Sequence, residues 1–204
     1  MIIREMGRDW QWPDSDVKCR AVVFDEVADL RVVYPHCRSC RTVIQAGGNM
    51  GVWPWVLARK FARVITAEPE PSCLECLRKN VDLPNVEIHG AGFGSHRDTA
   101  RIVYGKNNLG AQYISYSGPI PVIPIDDLNV TDCDLLCLDI EGAEVDALRG
   151  ASATIRASKP VVVIESKGLE PRFGYPKGHA EKMLLALGYR VVARPHRDVV
   201  LVCG

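Results

Sequence analysis

The chain has 204 residues, of which 47% are hydrophobic and 25% are charged, a composition typical of one globular domain with a buried core. Lysine plus arginine equals aspartate plus glutamate at 25 each, so the overall basic excess of a nucleic-acid-binding protein is missing. No apolar run reaches the length of about 20 residues that spans a bilayer, and the charged start at Met1–Glu5 has no signal-peptide core. We therefore expect a cytoplasmic protein without membrane or nucleic-acid partners.

Residues 1–40 are predicted to form an arm and a hairpin packed on a main domain at residues 41–204. The first 20 residues are polar and aromatic without a clear period, which indicates an irregular arm or a cap. Two short β-prone runs follow at Ala21–Phe24 and Leu30–Tyr34, on either side of two acidic residues. They predict a β-hairpin.

From residue 42 onward, apolar strands alternate with helices, which indicates a parallel sheet covered on both faces. The predicted strands are Thr42–Gln45, Val64–Ala67, Val86–His89, Asp134–Asp139 and Val161–Glu165, and the predicted helices span residues 52–60, 71–80, 143–149 and 179–187. The section between residues 90 and 124 is rich in Gly, Asn, Ser and Pro, with short β-like pieces at 100–104 and 111–116. The chain ends with a predicted hairpin of Arg190–Ala193 and Val199–Val202, so one terminal strand must run antiparallel.

A glycine-rich turn follows the first core strand, in the stretch Gln45-Ala46-Gly47-Gly48-Asn49-Met50-Gly51. Glycines where a strand enters a helix let the backbone approach a ligand closely, although a plain turn also has this pattern. Glu68 ends the next strand, near the spacing at which an acidic side chain accepts hydrogen bonds from both ribose hydroxyls. Glu68, beside Pro69, can also be an acidic residue that simply stabilises the N-terminus of the following helix. Together the two features favour an adenosine ligand, which fits a dehydrogenase as well as a methyltransferase.

The stretch Leu138–Glu144 carries three carboxylates within six residues, at the carboxyl end of the fourth parallel strand. This position lies beside the switch point where ligands bind in open α/β sheets. Close carboxylates repel one another unless they meet cations, donors or a substrate. Because Asp139 directly follows an apolar run, we expect it to be partly buried and functional.

The chain resembles the FkbM-type methyltransferases over roughly residues 40 to 168. The resemblance lies in Val43–Asn80, Pro124–Leu128, Leu138–Gly150 and Val161–Glu165, and is most specific in Asp139-Ile140-Glu141-Gly142-Ala143-Glu144 and Leu148-Arg149-Gly150-Ala151. It implies an α/β, Rossmann-like class I methyltransferase fold, with a mostly parallel seven-stranded sheet and an antiparallel C-terminal hairpin. It departs from the family at two positions, since the family generally has Asp where Gln45 stands and often Lys where Cys137 stands.

The resemblance implies S-adenosyl-L-methionine as cofactor and usually a hydroxyl oxygen as acceptor, here of a sugar, a glycan or another small or secondary metabolite. The residues predicted to bind the cofactor are Gln45, Gly47, Gly48, Asn49, Gly51, Glu68, Pro69, Ala91, Gly92, Asp139 and Glu141. Asp139 and Glu165 are the candidate bases for the acceptor proton, and either can instead be structural or hold the cofactor. The residues predicted to shape the acceptor pocket are Lys167, Arg172, Tyr175 and His179.

Two other functions stay open on the sequence. A nicotinamide-dependent oxidoreductase shares the glycine turn and Glu68, and a non-catalytic binding module can retain the same fold. The eight cysteines include two Cys-x-x-Cys pairs at 37/40 and 73/76, but the gap between them is about twice that of a zinc ribbon. We therefore expect free, mostly buried thiols and no metal site. The sequence does not indicate an oligomeric state.

Overall fold

Strands and short helices alternate through the computed structural model of the chain, which describes residues 1–16, 18–105 and 108–204. In these ranges the strands are β1 (Ile2–Glu5), β2 (Arg8–Gln11), β3 (Thr42–Ala46), β4 (Arg63–Ala67), β5 (Val86–His89), β6 (Gly92–Phe93), β7 (Asp98–Val103), β8 (Tyr113–Tyr116), β9 (Ile120–Ile123), β10 (Cys133–Leu138), β11 (Val161–Glu165), β12 (Tyr189–Ala193) and β13 (Asp198–Cys203). The α-helices are α1 (Val23–Glu26), α2 (Leu30–Val33), α3 (Val52–Leu57), α4 (Pro71–Asn80), α5 (Glu144–Arg149), α6 (Ser152–Ser158) and α7 (His179–Ala186).

The central sheet has seven strands in the order β12-β13-β11-β10-β3-β4-β5. Strands β11, β10, β3, β4 and β5 are parallel neighbours, whereas β13 lies antiparallel between β11 and β12. The predicted fold class, with its antiparallel C-terminal hairpin, is confirmed. All parallel strands present their carboxyl ends at one edge of the sheet, which is the edge where ligands bind in such folds.

Two apolar layers cover the sheet, as the continuous apolar runs of the inner strands require. Strand side chains such as Ile44 and Leu136 pack against α5, α6 and α7 on one face. Their chain neighbours, such as Val43 and Leu135, point to the other face because side chains alternate along a strand. That second face is covered by α3 and by residues 3–16 and 18–33, with Trp10 fully buried among them.

The predicted hairpin at residues 21–34 is wrong, because this segment forms the short helices α1 and α2, joined by one 3-10 turn at Val27–Asp29. Its buried residues are Val23, Val27, Leu30 and Val33, which recur at the spacing of a helix face and not at that of a strand. Packing of this face on the sheet overrides the strand preference of the β-branched residues.

The start of the chain is also more regular than predicted, since β1 and β2 form a two-stranded hairpin. The turn residues Met6 and Gly7 both have positive φ, as the tightest hairpin turns require. Trp10 pairs with Ile3 across the two strands, and both side chains are buried.

Residues 92–123 contribute a second, four-stranded sheet in the order β6-β9-β7-β8. The sequence predicted β7 and β8 approximately and missed β6 and β9. It also missed α6, whose N-terminal amides at Ala153 and Thr154 are capped by the carboxylate of Asp126. Within the described ranges, no helix is both long and apolar enough to cross a membrane.

Candidate active site

A cavity of about 300 Å³ opens at the carboxyl edge of the central sheet. Its floor is formed at the ends of four strands. Gly47, Glu68 and Asp139 directly follow β3, β4 and β10, and Glu165 is the last residue of β11. The small sheet forms one wall, the N-terminal segment at residues 18–29 forms another, and the turn between β12 and β13 completes the rim. The volume is at the lower end of the range for small-molecule sites.

The glycine turn after β3 lies against the neighbouring strand β10. Gly47 has φ of 85°, and a Cβ atom there would come within 2.1 Å of the backbone oxygen of Asp139. The amides of Gly47 and Gly48 both donate to the carbonyl of Ala67, at 3.1 and 2.9 Å. A side chain at residue 47 would therefore push apart the two strand ends that form the cavity floor.

Glu68 connects this turn with the end of β4. Its Oε2 accepts a hydrogen bond of 2.7 Å from the amide of Asn49, and its Oε1 accepts one of 2.8 Å from the amide of Glu70. Burial raises the pKa of Glu68 to about 7, although these two hydrogen bonds oppose the shift. Each carboxylate oxygen has a further lone pair, so Glu68 can accept hydrogen bonds from a ligand in the cavity.

Gln45 has a structural role in the same turn. Its Oε1 accepts a hydrogen bond from the hydroxyl of Thr66, and its Nε2 donates to the carbonyl of Gly47 at 2.8 Å. Gln45 is buried below the floor and does not line the main cavity. Gly48 and Gly51 are likewise absent from the lining, because Leu77 of α4 packs directly against both.

Three carboxylates and a lysine meet at the other end of the floor. One oxygen each of Asp139, Glu141 and Glu165 lies within 4.8 Å of the others. Lys167 places its Nζ 2.7 Å from Oε1 of Glu141 and in contact with Oε1 of Glu165. Arg172 places Nη1 3.2 Å from Oε2 of Glu141. Glu141 and Glu165 are buried, whereas the side chain of Asp139 is open to the cavity.

These groups shift one another's protonation. Burial, and then the neighbouring Asp139, raise the pKa of Glu165 to about 10. Desolvation at the cavity floor also raises the pKa of Asp139, although its side chain is open to the cavity, while the ammonium of Lys167 opposes that change. Burial by itself lowers the pKa of Lys167, but Asp139 and Glu165 outweigh it and the pKa rises. Both carboxyl groups therefore hold their protons to a higher pH than a free carboxyl does, and the charge of Lys167 opposes the shift in each pKa.

Three of the residues predicted to bind the acceptor lie outside the cavity lining. Arg172 bonds the backbone and carboxylate of Glu141 behind the floor. Tyr175 donates to Asp146 at 2.6 Å, and His179 stacks on the Tyr175 ring. The structure thus gives Arg172, Tyr175 and His179 partners inside the protein. The lining does contain the remaining predicted residues: Gly47, Asn49, Glu68, Pro69, Ala91, Gly92, Asp139, Glu141, Glu165 and Lys167.

The sequence missed the residues that enclose the cavity from above. From the N-terminal segment these include Lys18, Cys19 and Glu26, and from the small sheet they include Gln112 and Tyr113. No local pattern marks them, since they reach the cavity only because their segments fold over the sheet edge.

The turn before β13 also contributes to the cavity. Asp198 pairs directly with Glu165 in the sheet register, and His196 contacts Asp29 of the N-terminal segment at 2.6 Å. Burial, and then Asp139, raise the pKa of Asp198 to about 7. The register of the predicted C-terminal hairpin against β11 is the signal that could have placed Asp198 at the site.

All eight cysteines are free, and four of them are buried. The pair at 37/40 precedes β3, whereas the pair at 73/76 lies in α4. Among the described residues, the one group of three or more side chains spaced to hold a metal ion is Asp139, Glu141 and Glu165. It contains no cysteine.

Comparison with known proteins gives a consistent result. The profile of the methyltransferase FkbM domain matches residues 45–191. Methyltransferase 1 of Beauveria bassiana (strain ARSEF 2860) is 25% identical, over 53% of this chain and 57% of its own length. Among solved structures, methyltransferase FkbM from Methylobacillus flagellatus KT superposes with a TM-score of 0.56 at 20% identity, over 94% of this chain and 55% of its own. The chain thus spans a little over half the length of both relatives.

The structural likeness extends to more distant proteins. The O-methyltransferase from Bacillus cereus, solved in complex with SAH, superposes with a TM-score of 0.53 at 12% identity, over 94% of this chain and 84% of its own. A SAM-dependent methyltransferase from Aquifex aeolicus superposes with a TM-score of 0.52 at 14% identity, over 93% of this chain and 95% of its own. At these identities the likeness shows the fold.

Proposed function

The chain belongs to the FkbM methyltransferase family, and on this premise we propose that it transfers a methyl group from S-adenosyl-L-methionine to a hydroxyl oxygen of a sugar or another small or secondary metabolite. The observation that carries the proposal is the composition of the cavity floor. It combines the side-chain-free backbone of Gly47, the hydrogen-bond acceptor Glu68 and the open carboxylate of Asp139. Gly47 lets a ligand approach the backbone closely, Glu68 can accept hydrogen bonds from ribose hydroxyls, and Asp139 can accept a proton.

The cavity residues fit the proposed cofactor. A Cβ atom at Gly47 would collide with the opposite strand end, so only a bare backbone leaves this part of the floor intact. Glu68 would accept the two ribose hydroxyls with its free lone pairs. The lining residues Ala91, Ile102 and Ile114 form an apolar wall beside it, which would hold the adenine ring.

S-adenosyl-L-methionine, when bound, supplies a methyl group on a positively charged sulfur that leaves as a neutral thioether. The protein then has to orient the acceptor, exclude water and remove one proton. Asp139 is the better base of the two candidates, because its side chain is open to the cavity while Glu165 is buried and in contact with Lys167. As the acceptor oxygen forms its bond to the methyl carbon, the hydroxyl proton passes to the carboxylate of Asp139.

Water exclusion falls to the two segments above the cavity. The N-terminal segment is held over it by the contact between Asp29 and His196. Cys19 lies against the small-sheet side, since a Cβ atom at Gly110 would come within 3.4 Å of it. The cavity is therefore covered from two sides, which suits a reaction that hydrolysis would otherwise compete with.

Binding and transfer test the proposal in sequence. Calorimetric titration with S-adenosylhomocysteine should show one site per chain, and titration with NAD should show none. Transfer of an isotopically labelled methyl group to a panel of hydroxylated sugars and small alcohols should then identify acceptors. The Asp139→Asn variant should bind the cofactor product and lose about 10²- to 10⁴-fold in transfer rate.

Glu75→Gln, on the exposed side of α4 outside the cavity, is the matched control and should behave as the wild type. Binding of NAD without S-adenosylhomocysteine would refute the proposal in favour of an oxidoreductase. Absence of both would favour a non-catalytic module.

A further inference from the structure

We propose that Lys167 is the built-in cation of the site, occupying with its ammonium group the position of a divalent metal ion among Asp139, Glu141 and Glu165. In this position it holds Asp139 ready to accept the acceptor proton, and that part of the inference rests on the proposed methyl transfer. The placement of the Lys167 ammonium among the three carboxylates does not depend on methyl transfer and can be tested on the folded protein alone.

The geometry around Lys167 is that of an occupied cation site. Oxygen atoms of three carboxylates that all lie within 4.8 Å of one another can share one Mg²⁺ or Mn²⁺ ion, which prefers oxygen ligands. The ammonium of Lys167 is inside hydrogen-bond distance of two of them, 2.7 Å from Glu141 and in contact with Glu165. A hydrated metal ion and this ammonium cannot occupy that space together.

The backbone places Lys167 there just after a strand end. Glu165 is the last residue of β11, and Lys167 follows two positions later in the bend after the strand, where its ammonium contacts Glu165 and Glu141. The intervening Ser166 is held by a hydrogen bond of 2.7 Å from its amide to the carbonyl of Arg197. The segment that carries the lysine is thus attached to the turn before β13 directly beside the strand end.

Both buried carboxylates of the cluster have a cationic partner within the protein. Glu141 is 4% exposed and Glu165 is 8% exposed, and buried unpaired charges are strongly unfavourable. Lys167 pairs with Glu141 and Glu165, and Arg172 pairs with Glu141. Neither buried carboxylate therefore needs a metal ion as its counter-charge.

Asp139 depends on this arrangement for its position. Its side chain is the one member of the cluster that is open to the cavity, and among the described residues it forms no ion pair of its own, so Lys167 acts on it through the two carboxylates that the ammonium contacts. Removing Lys167 leaves three mutually repelling carboxyl groups with the oxygen ligands and the space for an added divalent cation. Lys167 is in this sense a positioning residue.

Mn²⁺ binding, followed by electron paramagnetic resonance and calorimetry, tests the positional part without any turnover. The wild type should bind no Mn²⁺ at this site, Lys167→Ala should bind one ion, and Lys167→Arg, which keeps a cation, should bind none. In Lys167→Ala, Glu141→Gln should abolish the binding again. Strong Mn²⁺ binding by the wild type that is lost in Glu141→Gln would overturn the proposal, and so would a folded Lys167→Ala that binds none.

Turnover tests the catalytic part. Lys167→Ala should lose about 10- to 100-fold in kcat with little change in KM for the cofactor, and Mg²⁺ should restore part of the loss. The wild-type rate should not respond to Mg²⁺ or to a chelator. If no acceptor is methylated by the wild type, the proposed function fails while the Mn²⁺ comparison still decides the role of Lys167. If Lys167→Ala does not fold, the wild-type Mn²⁺ titration alone can refute the proposal.

Discussion

Binding of the adenosine moiety should weaken as Glu68 takes up a proton. Burial raises the pKa of this carboxyl to about 7, so it changes its protonation state near neutral pH. Only the ionised form can accept hydrogen bonds from two ribose hydroxyls while it also accepts the amides of Asn49 and Glu70. At about pH 8 roughly nine tenths of Glu68 is ionised, and at about pH 6 roughly one tenth, so affinity should fall about tenfold, or about 1.4 kcal/mol.

The assay is calorimetric titration with 5′-methylthioadenosine, which has no amino-acid group of its own to titrate. Glu68→Gln should bind more weakly at about pH 8 and show no pH dependence between about pH 6 and pH 8. Glu75→Gln, an exposed carboxyl in α4, should keep the slope of the wild type. A wild type without pH dependence, or a Glu68→Gln variant that retains it, would contradict the assigned role of Glu68 in binding adenosine.

Three further predictions concern stability and folding. Gly47→Ala should lower the free energy of unfolding in urea by more than about 3 kcal/mol, because the added Cβ would lie 2.1 Å from a backbone oxygen. The control Gly7→Ala also has positive φ but has open space around it, and should cost about 1 kcal/mol. The pKa of Asp198 is raised from 3.8 to about 7, so its contribution to stability is complete below about pH 4 and is lost as pH rises to about 7. Asp198→Asn should therefore raise the urea midpoint more at about pH 8 than at about pH 5, and an equal gain at both would contradict this. Trp10→Ala should cost about 3–5 kcal/mol, because the fully buried ring packs edge-on against Phe24 and Trp55; a smaller loss would mean that this layer is dispensable.

The sequence predicted the inner sheet within one residue at most strand ends because each inner strand is an apolar run buried on both faces. Helix α4 was predicted with its observed bounds, Pro71–Asn80. Pro71 stands at its first position, and the side chain of Glu70 accepts a hydrogen bond from the amide of Cys73. These local signals and the tertiary fold agree, which is the condition under which sequence patterns are reliable.

Elements whose conformation depends on distant packing were missed or misread. The two-residue strand β6 is too short to carry a pattern, and β9 contains Pro121, which weakens any strand prediction. The segment at residues 21–34 has a strand-like composition, but its buried residues recur at helical spacing. The segment folds as helices because this spacing lets one face pack on the sheet.

The same distinction holds at the candidate site. Glu68, Asp139 and Glu165 could be placed at one edge because the carboxyl ends of parallel strands meet there. The residues of the cover, such as Cys19 and Gln112, could not, since no local rule states which segment folds over that edge. The loop partners of Arg172 and Tyr175 depend on side-chain contacts that spacing does not reveal.

The cover formed by the first 33 residues sets how this enzyme fold can be recombined. The family match begins at residue 45 and ends at residue 191, inside β12, yet Trp10 lies in the core and β13 separates β11 from β12. A fragment cut at the family limits would lack both. A chimera that takes its N-terminal segment from a relative would import the buried Trp10 layer together with the cavity residues Cys19 and Glu26. Thermal tolerance and acceptor preference would then be inherited together from a single exchanged segment.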